Sequence, residues 1–329
     1  MKFNEFIEII LSNKLLLIIF ILISIVILIN GATDAANSVI SGVTTKTMSF
    51  NKAIIISSIF NLLGVIVITT INNKVVVTIF NIAMFKGNDA LLALFTALIS
   101  IIIWTSIAWY FGIPTSESHA LIAGITGSAI AFNNGFNCIN FNSWLKVILG
   151  LLISISLGIL GGYVLYIIRK KTSKKIIYCS TAFISFMHGA QDGQKFIGLY
   201  LLVLLTNSTN KINVSIPIWL MLFSSLLMGI GTLIGGKRIV KKMGNELVEL
   251  DLKQCTSSDY ATSLVLLLST LLGIPISTTH VKMTSLIGVG LAKKTKINIS
   301  VIKQLIFTWI LTFPGCGLIS FILTKFILK

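Results

Sequence analysis

The stretch ILINGATDAANSV, from Ile27 to Val39, places a carboxylate within what otherwise reads as a membrane span. Nineteen uncharged residues, nearly all of them apolar, separate Lys14 from Asp34. Such a run is long enough to cross a bilayer at 1.5 Å per residue. A charged side chain at that depth costs several kcal/mol, so it persists mainly where it faces a cavity, a cation or a proton path. Asp34 therefore indicates a functional site inside a membrane protein.

The composition predicts an all-α polytopic membrane protein. Hydrophobic residues make up 55% of the chain and charged residues only 11%, which excludes an ordinary soluble domain. The formal charge of +16 does not indicate nucleic acid, because Lys and Arg accumulate in the cytoplasmic loops of membrane proteins. Apolar runs predict ten spans or hairpin arms, near 15–33, 52–70, 90–112, 115–132, 144–168, 176–204, 217–235, 260–273, 276–292 and 301–324.

The distribution of basic residues predicts the topology. The segments 44–52, 169–175, 236–259 and 293–300 together hold 15 Lys and Arg, against 7 in the segments assigned to the other side. This asymmetry predicts that both termini lie outside. The basic run RKKTSKK at 169–175 is best explained as a cytoplasmic linker, with contact to anionic lipids as the alternative.

The chain contains an internal repeat. GATDAAN, beginning at Gly31, is echoed by HGAQDGQK, beginning at His188, and GIPTSESHALIAGITGSAIA is echoed by GIPISTTHVKMTSLIGVGLA. Asp34 precedes Ser116 by 82 residues, and Asp192 precedes Ser277 by 85. Two ordered motifs at nearly one spacing indicate two related halves.

Charge indicates that the two halves have opposite orientations in the membrane. FNNGFNCINFN, after the first of the longer motifs, has no charge, whereas KKTKIN, after the second, has three lysines. We expect inverted repeats at 1–168 and 176–329, joined by the linker 169–175, with broken helices and two re-entrant helical hairpins. That arrangement is typical of secondary transporters that work by alternating access.

The two aspartate motifs suggest a cation site. Glycines beside Asp34 and Asp192 would let each helix unwind and free carbonyl oxygens for a hard cation such as Na⁺. The simpler alternative for Asp34 is a helix cap at the membrane surface.

The two hairpin motifs suggest an anion site. A proline ends one helix, and hydroxyl residues lie where the next begins, so that free N–H groups and the helix dipole point into the break. Several N–H and O–H donors suit a tetrahedral oxyanion. The alternative is an ordinary N-cap. The motif residues are Pro114, Ser116 and Ser118, and then Pro275, Ser277, Thr278 and Thr279.

Other polar residues in the motifs have open roles. His119, His188 and His280 could carry protons or be structural donors. Glu117 could be a protonatable group, a cation ligand or a water-facing cap. Lys195 and Lys282 could add charge to an anion path or extend to the cytoplasmic surface.

The four motifs together resemble the inorganic phosphate transporter (PiT) family of secondary symporters, whose pattern is Gly-Ala-Asn-Asp with Ala-Asn and Pro-x-Ser-x-Thr-His in each half. The resemblance spans Asn30 to Ala292. It implies phosphate symport with Na⁺ or H⁺ as the coupling ion and no other cofactor. Carried over by residue, it implies cation binding by Asp34, Asn37, Asp192 and Gln194, and phosphate binding by Ser116, Ser118, Ser277, Thr278 and Thr279.

Departures from the family pattern leave the ion and the substrate open. Thr33 and Gln191 stand where Asn is usual, Lys195 follows Gln194 where Ala is common, and Glu117 and Lys282 are also unusual at their positions. Phosphate could enter as a neutral metal complex, and sulfate is also a tetrahedral oxyanion.

Two other classes of protein are alternatives to a symporter. A passive anion channel would need a continuous polar pore. An intramembrane enzyme is disfavoured because no Gly-x-Ser-x-Gly elbow or zinc motif is present. The expected partners are phosphate, the coupling cation and the lipids of the plasma membrane, and fold analogy suggests a homodimer.

Overall fold

The computed structural model is built of α-helices. It describes residues 3–85, 89–111, 115–170, 172–206, 216–234, 237, 240, 247–248 and 250–329. In these ranges no strand forms, and the only β-pairing is two isolated bridges, Ala83 with Ile139 and Val248 with Ile297. The helices are α1 (Phe3–Ser12), α2 (Lys14–Thr44), α3 (Phe50–Ile71), α4 (Lys74–Phe80), α5 (Ala90–Tyr110), α6 (Glu117–Asn133), α7 (Phe141–Ile168), α8 (Lys174–Thr206), α9 (Ile218–Ile234), α10 (Leu252–Leu272), α11 (Thr278–Lys293) and α12 (Ile299–Ile327), with a 3-10 turn at Phe136–Cys138.

Each of the ten predicted spans falls on one of these helices. Among the described residues, five helices are long and apolar enough to cross a membrane, namely α2, α3, α5, α7 and α12. The other predicted spans form helices that are shorter or more polar. Those shorter or more polar helices carry most of the motif residues that the sequence predicts to bind ions.

The predicted unwinding beside the two aspartates is wrong. Helix α2 runs without interruption through Gly31 and Asp34, and α8 runs through Gly189 and Asp192. The glycines instead allow close helix contact: a Cβ at Gly31 would strike the Met228 carbonyl of α9, and one at Gly189 would strike Asn61 of α3. Small residues at such contacts let two backbones approach, and that is the role of these glycines.

The predicted cytoplasmic loop at 236–259 is shorter than expected. Helix α10 begins at Leu252 behind a capping box, in which Asp251 accepts from the Gln254 backbone and the Gln254 side chain accepts from the Asp251 backbone. Residues from Gln254 to Asp259 are buried. The polar run CTSSDYATS suggests a loop because it lacks apolar character, but it is a helix whose polar groups bond to neighbouring helices.

The packing partners of the two halves of the chain correspond. Helix α3 packs on α8 and α9 packs on α2; α7 packs on α11 and α12 packs on α6. The neighbours α5 and α6 pair as α10 and α11 do, and α2 packs directly on α8. The two isolated bridges also correspond, since each joins the residues before α5 or α10 to those before α7 or α12. The pairing places the two aspartate helices in contact at the centre.

Glycine contacts hold these pairs together at equivalent places. A Cβ at Gly64 of α3 would overlap the Phe186 carbonyl of α8, and a Cβ at Gly231 of α9 would overlap the Leu28 carbonyl of α2. Leu28 and Phe186 each lie six residues before an aspartate of the repeated motif. Close backbone approach therefore fixes the register of the helices that carry Asp34 and Asp192.

Candidate functional site

The contact between α2 and α8 brings the two motif aspartates together. Asp34 and Asp192 are buried, with 5% and 0% of their surface exposed. Between them lies His188, whose Nε2 is 3.7 Å from Asp34 Oδ2 and 3.1 Å from Asp192 Oδ2. One ligand atom from each of these three residues lies within 4.8 Å of the others. They form the core of a buried polar cluster.

The start of α11 adds two hydroxyl groups to this cluster. Oγ1 of Thr278 lies 3.2 Å from Asp34 Oδ2 and 3.2 Å from Asp192 Oδ2, so it bridges the two carboxylates. Oγ1 of Thr279 donates to Asp34 Oδ1 at 3.0 Å. The sequence predicts separate cation and anion groups, and the structure brings members of both sets into direct contact.

Amide side chains of α2 surround Asp34. Asn30 donates to Asp34 Oδ2 at 3.1 Å, and Asn37 donates to Oδ1 at 3.3 Å and to Thr279 Oγ1 at 2.9 Å. The Oδ1 atoms of Asn30 and Asn37 are buried, and neither has a hydrogen-bond partner among the described residues. Two amide oxygens beside a carboxylate are ligands that a hard cation prefers.

Lys195 contacts Asp192, whereas the amide of Asn37 contacts Asp34. Its Nζ lies 2.5 Å from Asp192 Oδ1, 2.5 Å from Ser118 Oγ at the start of α6 and 2.6 Å from the Ile276 carbonyl oxygen. The residue is 1% exposed. The alternative that Lys195 extends to the cytoplasmic surface is therefore wrong.

The first residue of each hydroxyl motif is a helix cap. Ser116 accepts a hydrogen bond from the His119 N–H at the start of α6, and Ser277 accepts one from the His280 N–H at the start of α11, both at 3.2 Å. The predicted helix starts are thus confirmed. Each serine still has a hydroxyl hydrogen with which to donate. Pro114 lies outside the described residues.

His119 and His280 face each other rather than the carboxylates. Their ring centroids are 4.7 Å apart, and His119 also stacks on Phe313 at 4.5 Å. No ring nitrogen of either residue has a hydrogen-bond partner in the described part of the chain. The two rings bring the start of α11 into contact with the start of α6, directly after the hydroxyl residues in sequence.

Glu117 joins the edge of the cluster through Thr33. One carboxyl oxygen of Glu117 contacts the Thr33 hydroxyl, and the other is buried with no partner among the described residues. A cleft of about 410 Å³, lined by residues that include Thr33, Trp109 and Tyr110, reaches this point. The cleft leads from the edge of the protein to the residue that contacts Glu117.

Lys282 belongs to a second buried ion pair, so the alternative that it extends to the cytoplasmic surface is also wrong. Its Nζ lies 2.6 Å from Asp259 Oδ1, and both side chains are 0% exposed. Ser41 and Ser180 each lie 2.6 Å from Asp259, so the pair joins α2, α8, α10 and α11. Asp259 escapes sequence-based prediction because its sequence surroundings resemble a loop.

Two further placements differ from what the sequence indicates. Gln194 points away from both aspartates and donates to the Asn72 carbonyl at 2.5 Å. Asn61 of α3 belongs to none of the motifs, yet its Oδ1 lies 2.9 Å from His188 Nδ1 and it donates to Thr232 at 2.9 Å. A signal for Asn61 is present, because it is an amide within an apolar run three residues before Gly64.

Comparisons with known proteins identify the family of the chain. A family model described as the phosphate transporter family matches residues 30–178 and 169–320. A probable low-affinity inorganic phosphate transporter of Bacillus subtilis is 33% identical over 318 residues, which are 91% of this chain and 94% of the relative. A relative with the same description in Rhizobium meliloti is 29% identical over 310 residues, 89% of this chain and 90% of its own.

A solved structure gives the fold an independent comparison. The structure described as "The sodium-dependent phosphate transporter" aligns with a TM-score of 0.84, covering 96% of this chain and 99% of its own. Its sequence is 22% identical, so the likeness is one of fold.

Proposed function

The chain belongs to the phosphate transporter family, and we propose that it is a cation-coupled symporter of inorganic phosphate that works by alternating access. The relatives named above are described as transporters, not as enzymes. The family match, together with the five helices long and apolar enough to cross a membrane, indicates a multi-pass membrane protein for phosphate transport. One observation carries the proposal of coupling: the acidic motif residues and the hairpin hydroxyls meet in one buried cluster, where Thr278 touches both Asp34 and Asp192.

We infer two inverted repeats at 1–168 and 176–329, joined by the linker 169–175. The corresponding packing partners of the two halves and the matching bridges support this division. The two re-entrant hairpins would be α5 with α6 and α10 with α11, each with a capping serine at its break. The exchange of two equivalent arrangements would open the site to one side of the membrane and then the other.

The cation site would centre on Asp34. Its two carboxylate oxygens, the buried Oδ1 atoms of Asn30 and Asn37 and the Thr279 hydroxyl would supply oxygen ligands from two successive turns of α2 and the start of α11. Asp192, with its charge already met by His188 and Lys195, would be the second acidic member. Gln194, which points away from both aspartates, would take no part in this site.

Phosphate would bind beside these carboxylates. Ser116, Ser277 and the N–H groups at the starts of α6 and α11 would donate to its oxygens, and Ser118, Thr278 and Thr279 would exchange their present partners for it. A dianion next to two carboxylates is unfavourable until cations offset the charge. Cation binding would therefore raise the affinity for phosphate, and phosphate would raise the affinity for the cation.

We propose Na⁺ as the coupling ion. The solved relative is described as sodium-dependent, and the oxygen-rich surroundings of Asp34 suit the same ion. Protons are the second candidate, because Glu117 is a buried carboxyl group at the edge of the cluster with no basic partner among the described residues. Sulfate, which has the same tetrahedral shape, is the competing substrate.

Radiolabelled phosphate uptake into proteoliposomes tests the proposal. One sample receives a Na⁺ gradient and another a pH gradient, with excess unlabelled sulfate as competitor. Accumulation above equilibrium under one gradient, resistant to sulfate, would support symport and identify the ion. Equilibration without accumulation would indicate a channel, and competition by sulfate would change the substrate.

We place the protein in the plasma membrane with both termini outside, from the excess of Lys and Arg in the proposed cytoplasmic segments. Labelling of single cysteines added at each terminus by a membrane-impermeant reagent tests this orientation. A homodimer remains our expectation from fold analogy, and mass measurement in detergent tests it.

A further inference from the structure

Asn37 and Lys195 hold equivalent positions in the two halves. Each lies three residues after the motif aspartate of its helix. Asn37 Nδ2 contacts Asp34 Oδ1 at 3.3 Å and Thr279 Oγ1 at 2.9 Å. Lys195 Nζ contacts the matching partners, Asp192 Oδ1 and Ser118 Oγ, each at 2.5 Å. One half therefore has a neutral amide where the other has an ammonium group.

The surroundings of the Lys195 ammonium are those of a bound cation. A carboxylate oxygen, a hydroxyl oxygen and the carbonyl oxygen of Ile276 lie 2.5 to 2.6 Å from Nζ. These three oxygens can take all three N–H donors of the ammonium group. Carboxylate, hydroxyl and carbonyl oxygens are also what a hard metal cation would use. The position is filled by a charge that belongs to the chain.

The equivalent position in the first half has no ammonium group and would take a mobile ion. Asn37 brings no charge to Asp34, and the basic atom that faces Asp34 is the more distant His188 Nε2, at 3.7 Å. The Oδ1 atoms of Asn30 and Asn37 are buried and lack partners in the described ranges, so they would serve as ligands of such an ion. His188, which occupies the place of Asn30 in the second half, adds a further basic group on the side of Asp192.

We propose that Lys195 is a tethered cation that fills one of two equivalent cation positions, so that this chain couples phosphate to one mobile cation fewer than a chain with an amide at residue 195 would. The proposal rests on the cation-coupled symport described above and specifies its stoichiometry. A tethered charge does not cross from one solution to the other. Each transport cycle therefore carries one positive charge fewer and draws on the free energy of one coupling ion fewer.

The experiment measures the ratio of coupling cations to phosphate in proteoliposomes. The ratio follows from the cation gradient that just halts net phosphate flux at a fixed phosphate gradient and membrane potential, with Na⁺ and H⁺ tested in separate arms. Lys195→Asn recreates the residue of the first half. We expect its ratio to exceed that of the parent protein by one, and the charge moved per phosphate to rise by one.

Equilibrium binding gives a second readout that does not depend on transport. Radiolabelled Na⁺ bound per mole of detergent-purified protein at saturating phosphate should rise by one in Lys195→Asn. The matched control is Lys282→Asn combined with Asp259→Asn, which removes the other buried lysine and its partner, outside the cluster. We expect the control to keep the parent ratio.

Two results would overturn the proposal. One is a folded, coupled Lys195→Asn protein with the parent ratio. The other comes from Asn37→Lys, which is the mirror test if Lys195→Asn does not fold. A second tethered ammonium beside Asp34 should lower the ratio by one, and an unchanged ratio would refute the proposal. A parent protein that shows no coupling to either ion would instead refute the proposed symport, and that outcome is read from the parent alone.

Discussion

Asn30 and His188 hold matching places in α2 and α8, four residues before the aspartate that each contacts. Asn30 Nδ2 lies 3.1 Å from Asp34 Oδ2, and His188 Nε2 lies 3.1 Å from Asp192 Oδ2. Together with Asn37 and Lys195, they give Asp34 two amide neighbours within 3.3 Å and Asp192 two basic neighbours within 3.1 Å, while His188 is 3.7 Å from Asp34. The two carboxylates therefore have different surroundings, and single substitutions should separate their effects.

Asp34→Asn should remove cation coupling while the protein stays folded. The amide keeps partners in Asn37, Thr278 and Thr279 but loses the charge that attracts the cation. A hydrogen bond to a charged group is worth about 1.5 to 3 kcal/mol, so gradient-driven uptake should fall by roughly tenfold or more. Uptake in proteoliposomes measures the effect, and undiminished accumulation would place the coupling site elsewhere.

Asp192→Asn should instead destabilise the protein. It leaves the Lys195 ammonium buried without its counter-ion, and breaking a buried pair from one side costs about 3 to 5 kcal/mol. Thermal unfolding in detergent measures the loss. Adding Lys195→Asn to the same protein removes the stranded charge and should recover most of the stability; equal midpoints for the single and double variants would contradict this account.

Lys282→Met should lower the stability by about 3 to 5 kcal/mol, because Asp259 would lose its ammonium partner at 2.6 Å in a fully buried setting. Lys293→Met is the control, since its pair with Asp251, at 2.8 Å, is 36% and 44% exposed. An exposed pair of that kind contributes about 1 kcal/mol or less. Unfolding midpoints of the two variants are compared. Similar losses would show that the buried ion pair contributes no more to stability than the exposed one.

Gly64→Ala should weaken the contact between α3 and α8. The new methyl group would meet the Phe186 backbone, which cannot move aside as a flexible side chain can, and overpacking costs about 1 to 3 kcal/mol. Gly135→Ala is the matched control, because a Cβ there meets no atom within 4 Å. Thermal midpoints should fall for the first variant and stay level for the second.

Thr278→Val should impair phosphate and cation together, because its hydroxyl contacts both aspartates. We expect initial uptake rates to fall by roughly tenfold, in keeping with the loss of a hydrogen bond to a charged group. Thr278→Ser keeps the hydroxyl and should retain transport. Rates measured over a range of phosphate at saturating cation make the comparison, and equal losses in both variants would show that the methyl group matters more than the hydroxyl.

Local signals explain why much of the site could be predicted. The repeated motifs identify Asp34 and Asp192, and the serines at 116 and 277 cap helices as the sequence indicates. The same local rules fail where packing decides. The sequence predicts that Gly31 and Gly189 unwind their helices, but they serve close contacts with α9 and α3, and a sequence window does not show which neighbour a glycine will meet.

Hydrophobic runs, charge asymmetry and repeated motifs are visible along the chain without its fold, so the sequence alone predicts the apolar helices, the repeated motifs and the residue types of the site. The contacts of Thr278 with both aspartates, of Lys195 with the Ile276 carbonyl oxygen and of Asp259 with Lys282 appear only in the folded chain. These contacts join residues far apart in sequence, and they form because buried charges and hydroxyls must find partners within a low-dielectric interior.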